Sequence, residues 1–309
     1  EKNILDNMPV IEIEGIKFAH PHFMTVDAFR VYTDMLVSNW RLEKTLTRFN
    51  VLMKHYPFDL SKKYNVKIGA IKEDISSYIK KNIIHNSDLV VIGQHAFNYL
   101  AKKVINENES KELILNDGYF EVVCKNLKED SKDIISILKK KYPKTSYTRY
   151  YKFFQFFDER IDVFIDKNLV MKIYGNNERC ITYKYSEKKL TKYATFQLLI
   201  LYLLAGFIQS YVNKDKVGEE NCMSMITAIY KLRNRFFSEN KVTIFEESPF
   251  QEFVINCIGI PYDQMRKSFE EGAKKKEKGK RMKFGYRPSG NPGKAPSFIF
   301  KNHSGNEIK

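Results

Sequence analysis

The sequence predicts an α+β protein, and three observations predict it. Strand, helix, strand, helix and strand patterns follow one another within a hundred residues from Leu89. From Ser186 to about Cys257 the periodicity turns helical. Hydrophobic residues form 43% of the 309 and charged residues 29%, which supports a real core and excludes a wholly disordered or fibrous chain. At ~100–200 residues per domain the length suggests two domains, with one large domain as the alternative.

Residues 9–19 alternate apolar and polar through Ile11, Ile13, Ile16 and Phe18 around Gly15, the pattern of a β-hairpin or a bent strand. Thr25 is expected to cap a long helix to about His55, ended by Pro57. Its apolar positions follow helical spacing, and Arg30, Arg41, Lys44 and Arg48 fall on its other faces. Residues 66–83 read as helical. An apolar strand Leu89–Ile92, then Gly93, then a helix from about Ala96 to Ile105 forms the sharpest unit. A turn at Asn116-Asp117-Gly118 precedes a strand Tyr119–Cys124. A helix near 130–140, an aromatic strand Tyr147–Phe157 and a strand pair at 161–166 and 169–174 follow. Helices are then expected near 189–212 and 219–237, with a shorter one from Ser248-Pro249.

Lys and Arg total 52 against 37 Asp and Glu, a formal charge of +15. A chain this basic points to a polyanion, nucleic acid or an anionic membrane surface. The apolar stretch Phe196–Ile208 has 13 residues, short of the ~20 a spanning helix needs, so it reads as a core helix and no membrane is expected. Residues 266–309 carry 13 Lys and Arg against 4 Glu, and hold 6 of the 14 Gly, which marks an extended basic tail. Within it Lys274, Lys275, Lys276, Lys278, Lys280, Arg281 and Lys283 place seven positive charges in ten residues. Such a run releases counterions from phosphates and gives salt-sensitive affinity with little sequence preference. Phe284, Tyr286, Phe298 and Phe300 are placed to stack on unpaired bases. A solubilising tail or localisation signal is the alternative.

Chemistry-bearing patterns are sparse. The four cysteines, Cys124, Cys180, Cys222 and Cys257, have no metal-ligand spacing and read as separate thiols of a reducing compartment. The Leu89–Tyr99 unit has one glycine, so neither a dinucleotide fingerprint nor a P-loop is present, and a tight strand-to-helix turn is the simpler reading. Nucleotidyl transfer needs two or three carboxylates on adjacent strands to hold two Mg²⁺. In a nucleotidyltransferase arrangement they follow a strand–Gly–helix turn. Here Glu121 stands in place, Tyr119 replaces the first carboxylate, and Asp162 is the candidate third-strand acid. Glu121 and Asp162 are therefore weak catalytic candidates, no metal ligand is assigned, and a degenerate copy of the fold is favoured. The histidines read as capping and core residues. No GxSxG or HExxH motif occurs.

Pro9–Ala19, Phe23–Arg30 and Asn39–Lys44 resemble part of the catalytic subunit of poly(A) polymerases of large cytoplasmic DNA viruses. Ile92–Tyr99 resembles the second, degenerate nucleotidyltransferase-like domain of those proteins, and Pro249–Gly259 with the basic tail resembles their C-terminal end. The resemblance implies that residues 1–60 are the later part of a catalytic domain. It makes 61–265 a degenerate nucleotidyltransferase-like domain with a helical cap, and 266–309 the tail. It places the metal-binding aspartates upstream of Glu1, an expectation that the absence of an initiator Met supports. It further implies Mg²⁺ and ATP for the intact enzyme, RNA as partner, a homodimer or a processivity subunit, and the host cytoplasm or virion. Arg41, Lys44 and Arg48 become RNA-contact candidates near the active cleft. A non-enzymatic RNA- or DNA-binding module is the alternative, because the paired aspartates are missing.

Overall fold

A computed structural model describes residues 6–33, 42–59, 64–153, 157–176, 181–188, 190–243, 246–251, 254 and 256–258. Strands β1 (Val10–Ile13) and β2 (Ile16–Ala19) form a hairpin, the first of the two forms the pattern allowed, turning at Glu14 and Gly15 with φ +51° and +79°. Two successive positive φ angles match the twist of a two-residue hairpin turn. Helix α1 (Pro21–Thr33) and helix α2 (Leu42–His55) follow. Thr25 does not cap. It sits inside α1 with its hydroxyl donating to the Pro21 carbonyl at 3.0 Å, so the helix starts a turn earlier than the sequence suggests. Phe29 of α1 meets Phe49 of α2 edge-on at 5.2 Å.

Helix α3 (Glu73–Ile79) runs into a π turn (Lys80–Ile84), while 64–72 is not helical, correcting the expected helix over 66–83. Strand β3 (Val90–Ile92), helix α4 (Gly93–Lys102), helix α5 (Glu107–Leu113), strand β4 (Phe120–Cys124) and helix α6 (Leu127–Lys141) come next. The aromatic strand is shorter than expected: β5 (Thr145–Tyr150) ends before an isolated Phe153–Phe157 bridge. Strands β6 (Arg160–Ile165) and β7 (Asn168–Gly175) are paired as expected, about a second two-residue turn at Asp166 and Lys167.

The region after residue 180 holds the main surprise. Strands β8 (Ile181–Tyr185) and β9 (Lys192–Ala194) precede helix α7 (Phe196–Val212), helix α8 (Lys216–Asn240) and strand β10 (Cys257–Ile258). The stretch before Phe196 is thus strand, not helix, and 248–251 forms a turn with Gln251 N–H bonded to the Ser248 carbonyl, where a helix was expected. Thr195 caps α7 by accepting from Leu198 N–H.

The eight-stranded mixed sheet has the order β10-β8-β9-β3-β4-β7-β6-β5 among the described residues. On one face α3, the π turn and α6 bury Ile79, Ile83, Ile134 and Leu138 against Val91, Val122, Met171 and Ile173. On the other face α4, α7, α8 and α1 form a layer around α7, whose Leu198, Leu199, Ile200, Leu204 and Ile208 have no exposed surface. Burial on all sides explains why this helix is apolar all round. No helix among the described residues is long and apolar enough to cross a membrane. Cys124 and Cys222 are free, but Cys257 is disulfide-bonded. The expectation of four separate thiols fails there, and with it that argument for a reducing compartment.

Candidate functional site

The strand–glycine–helix turn sets the geometry. Gly93 opens α4 with φ +60°, and a β-carbon there would lie 1.9 Å from Glu121 Oε2. Only glycine offers both the left-handed backbone and the hollow that takes the carboxylate. The first two turns of α4 then hold the loop that delivers β4. Gln94 Nε2 donates to the Asn116 carbonyl at 3.1 Å, and Asn98 brackets Leu115, donating to its carbonyl at 2.8 Å and accepting its N–H at 3.0 Å. His95 Nε2 lies 3.1 Å from the Gly118 carbonyl, which fixes it as the protonated ring nitrogen, and its ring stacks on Phe120 at 4.1 Å. Burial lowers the His95 pKa to about 4. His95 is a core histidine that holds the Gly118 carbonyl and packs on Phe120.

The sheet register places one charged row across three strands. Glu121 on β4 pairs with Lys172 on β7, and Lys172 pairs with Asp162 on β6. The adjacent row is Val123, Tyr174 and Arg160 on the same strands, with Tyr150 on β5 beside Arg160. Glu121 and Asp162 thus share a face, but an ammonium lies between them. Lys172 Nζ is 3.8 Å from Glu121 Oε1 and donates to the Tyr119 hydroxyl at 3.2 Å. Tyr174 OH donates to Glu121 Oε1 at 3.3 Å. Arg160 Nε lies 2.7 Å from Asp162 Oδ1, off the hydrogen-bond line, and Nη2 donates to Oδ2 at 3.2 Å. Its Nη1 donates to Gln209 of α7 at 3.1 Å, and its plane covers the Tyr150 ring at 4.5 Å.

These groups are 7–19% exposed, so their interactions are weakly screened. Burial alone would lower the Lys172 pKa, but Glu121 and the Tyr174 and Tyr119 phenols outweigh it and hold the pKa above its usual value. Burial raises the Asp162 carboxyl while Arg160 and Lys172 pull it down, and the net shift is upward. Burial, helped by Glu121, pushes the Tyr119 phenol up to about 12. The row sets the Lys172 ammonium and the neighbouring Arg160 guanidinium against the Glu121 and Asp162 carboxyl groups, with the Tyr119 and Tyr174 phenols between.

A cavity of about 200 Å³ adjoins the row, lined among others by Gly93, Tyr119, Glu121, Lys172 and Gln209. The residues do not fit a divalent ion. No group of three or more His, Cys, Asp or Glu side chains that could hold a metal occurs among the described residues. Lys172 Nζ, 3.8 Å from Glu121 Oε1, would repel a divalent ion brought to that carboxyl. A larger cavity, of about 1100 Å³, lies elsewhere, lined by Tyr64, Glu109, Lys216, Lys231 and Arg235 among others.

Lys44 and Arg48 are exposed on α2, one turn apart, and are not brought to this row. Arg41 and the tail residues Lys274, Lys275, Lys276, Lys278, Lys280, Arg281 and Lys283 lie outside the described residues. Sequence reasoning misses Lys172, Tyr174, Arg160 and Gln209. Two signals point to them: a lysine inside the otherwise apolar strand LVMKIYG, and Arg160 two residues from Asp162 on one strand face.

Residues 50–309 match the family described as "APMV, Putative poly(A) polymerase, catalytic subunit, C-terminal". The chain is 26% identical to the "Putative poly(A) polymerase catalytic subunit" of Acanthamoeba polyphaga mimivirus, over 96% of this chain and 58% of that protein. Its fold matches the crystal structure of the Megavirus polyadenylate synthase with a TM-score of 0.79 at 24% identity, over 99% of this chain and 66% of that one. The chain therefore spans about three fifths to two thirds of the length of these relatives.

Proposed function

Because the chain belongs to the family of C-terminal portions of mimivirus-type poly(A) polymerase catalytic subunits, we propose that it is part of a viral polynucleotide adenylyltransferase. The whole enzyme transfers AMP from ATP to an RNA 3′ hydroxyl with Mg²⁺. This chain's share is RNA binding and subunit contact, with a second copy or a processivity subunit, in the host cytoplasm or virion. The observation that carries the division of labour is Lys172 seated between Glu121 and Asp162, with Tyr119 where the first carboxylate would stand. Mg²⁺ and ATP then belong with residues outside this row. RNA phosphates are met by the cations of 274–283, with Arg41, Lys44 and Arg48 as further contacts.

The same observation favours a second reading, a non-enzymatic RNA- or DNA-binding module. Primer extension separates both from autonomous catalysis. The chain is mixed with a short labelled RNA, ATP and Mg²⁺ at low salt and read for added adenylates. A gel shift without extension is expected. Extension would show that an acid set within the chain is active, and Glu121 and Asp162 would be the first positions to substitute. The absence of both extension and shift would overturn both readings. Adding the chain to an extension reaction run by a full-length relative then discriminates the two, since a subunit changes tract length and a bare binding module only competes for RNA.

A further inference from the structure

The chain's own side chains oppose the charges of this row. Glu121 and Asp162 supply two negative charges and Lys172 and Arg160 two positive ones, all within one sheet face. Lys172 also takes up the Tyr119 hydroxyl, the group standing where the strand would carry its first carboxylate. Glu121 is locked from three sides: Oε2 over Gly93, Oε1 toward Tyr174 OH, and Oε1 again toward the ammonium.

We propose that Glu121 and its neighbours form a cation site whose resident cation is the tethered ammonium of Lys172. This holds whether or not the chain takes part in adenylate transfer. A covalently attached monovalent cation is always present, so this face of the sheet holds its geometry without divalent metal. It also keeps the 200 Å³ cavity beside Gly93 from drawing in an ion that the row could not neutralise. Removing the ammonium should leave a carboxylate pocket with a net negative charge and space for a small hard cation, which oxygen ligands favour.

Chemical rescue tests this on the full chain. Thermal melts are recorded for the wild type, Lys172→Ala and Lys172→Gln in NaCl, MgCl₂ and MnCl₂ at matched ionic strength. The wild type should melt at the same temperature in all three. Lys172→Ala should melt lower, and millimolar Mn²⁺ should raise its midpoint by about 3–6 °C, as expected of a ligand near ten times its dissociation constant. Lys172→Gln, which fills the space with a neutral amide, should melt lower but respond less. Adding Glu121→Ala should abolish the Mn²⁺ response. A Glu121-dependent Mn²⁺ shift in the wild type would overturn the proposal. So would a Lys172→Ala chain that melts, or stays unfolded, identically with and without Mn²⁺.

Discussion

Replacing Gly93 with alanine should expose how much of this domain is built around one hollow. Two costs follow from the structure. A non-glycine residue in the left-handed region costs ~1–2 kcal/mol, and Gly93 has φ +60°. The new β-carbon would also sit 1.9 Å from Glu121 Oε2 and 2.8 Å from its carboxyl carbon, so the side chain must leave. Its departure breaks the Tyr174 hydrogen bond and lengthens the 3.8 Å approach to Lys172. A hydrogen bond to a charged group is worth ~1.5–3 kcal/mol. Because the carboxylate ends a flexible stem, part of that is recovered, giving a loss of about 2–4 kcal/mol, or roughly 4–16 °C in Tm. Urea denaturation followed by far-ultraviolet circular dichroism reads it. The decisive comparison is Gly93→Ala in a Glu121→Ala background, where only the backbone strain should remain. The two substitutions should couple by ~1 kcal/mol or more. Additivity within ~0.5 kcal/mol, or a Gly93→Ala cost below ~1 kcal/mol, would refute the reasoning.

The remaining predictions concern the supports of the site and the tail. Burial holds His95 at about 4, below its ordinary 6.5, so the unfolded chain protonates first. The stabilisation is complete above about pH 6.5 and is lost as pH falls toward 4, ~3 kcal/mol in all, and His95→Gln should flatten that part of the stability–pH curve. An equally steep curve in the variant would remove His95 as the cause. Asn98→Ala strands the Leu115 N–H and carbonyl and should cost about 2–3 kcal/mol in chemical denaturation, and a loss under ~1 kcal/mol would show that water replaces the amide. Changing Lys274, Lys275, Lys276, Lys278, Lys280, Arg281 and Lys283 to glutamine should lower the slope of log affinity for single-stranded RNA against log salt by about 0.7 for each phosphate no longer neutralised. An unchanged slope would place RNA binding elsewhere.

Much of the fold is legible in the sequence because local signals and tertiary packing agree. The Glu14-Gly15 turn, the β3–Gly93–α4 unit and the β6–β7 pair each combine a turn residue with unambiguous periodicity. Elsewhere packing overrides local pattern. Strand β9 is three residues long and is made a strand by pairing with β3 and β8. Ser248-Pro249 has the right start for a helix, but its serine carbonyl instead accepts from the Lys184 ammonium of β8, and the chain turns there. Thr25 has the right side chain for a cap, yet Pro21, with no N–H to satisfy, already begins that helix.

The site is legible as a set of acids and illegible as a set of pairs. Glu121 and Asp162 stand out because carboxylates after a strand–glycine–helix turn form a recognisable pattern. What decides their chemistry is the strand between them. β7 lies next to β4 although a helix and two strands separate them along the chain, and no periodicity announces which strand will be inserted there. Had β6 paired directly with β4, Glu121 and Asp162 would face each other, and an unscreened pair of buried carboxylates would demand a cation. With β7 inserted, the register brings a lysine to that point instead, and the demand is met by the chain itself. The absence of a first carboxylate at Tyr119 is therefore not an isolated loss. A phenol that accepts from Lys172 and stays neutral is what a row already supplied with its own cation requires, since an aspartate there would bring a third negative charge against only two positive ones.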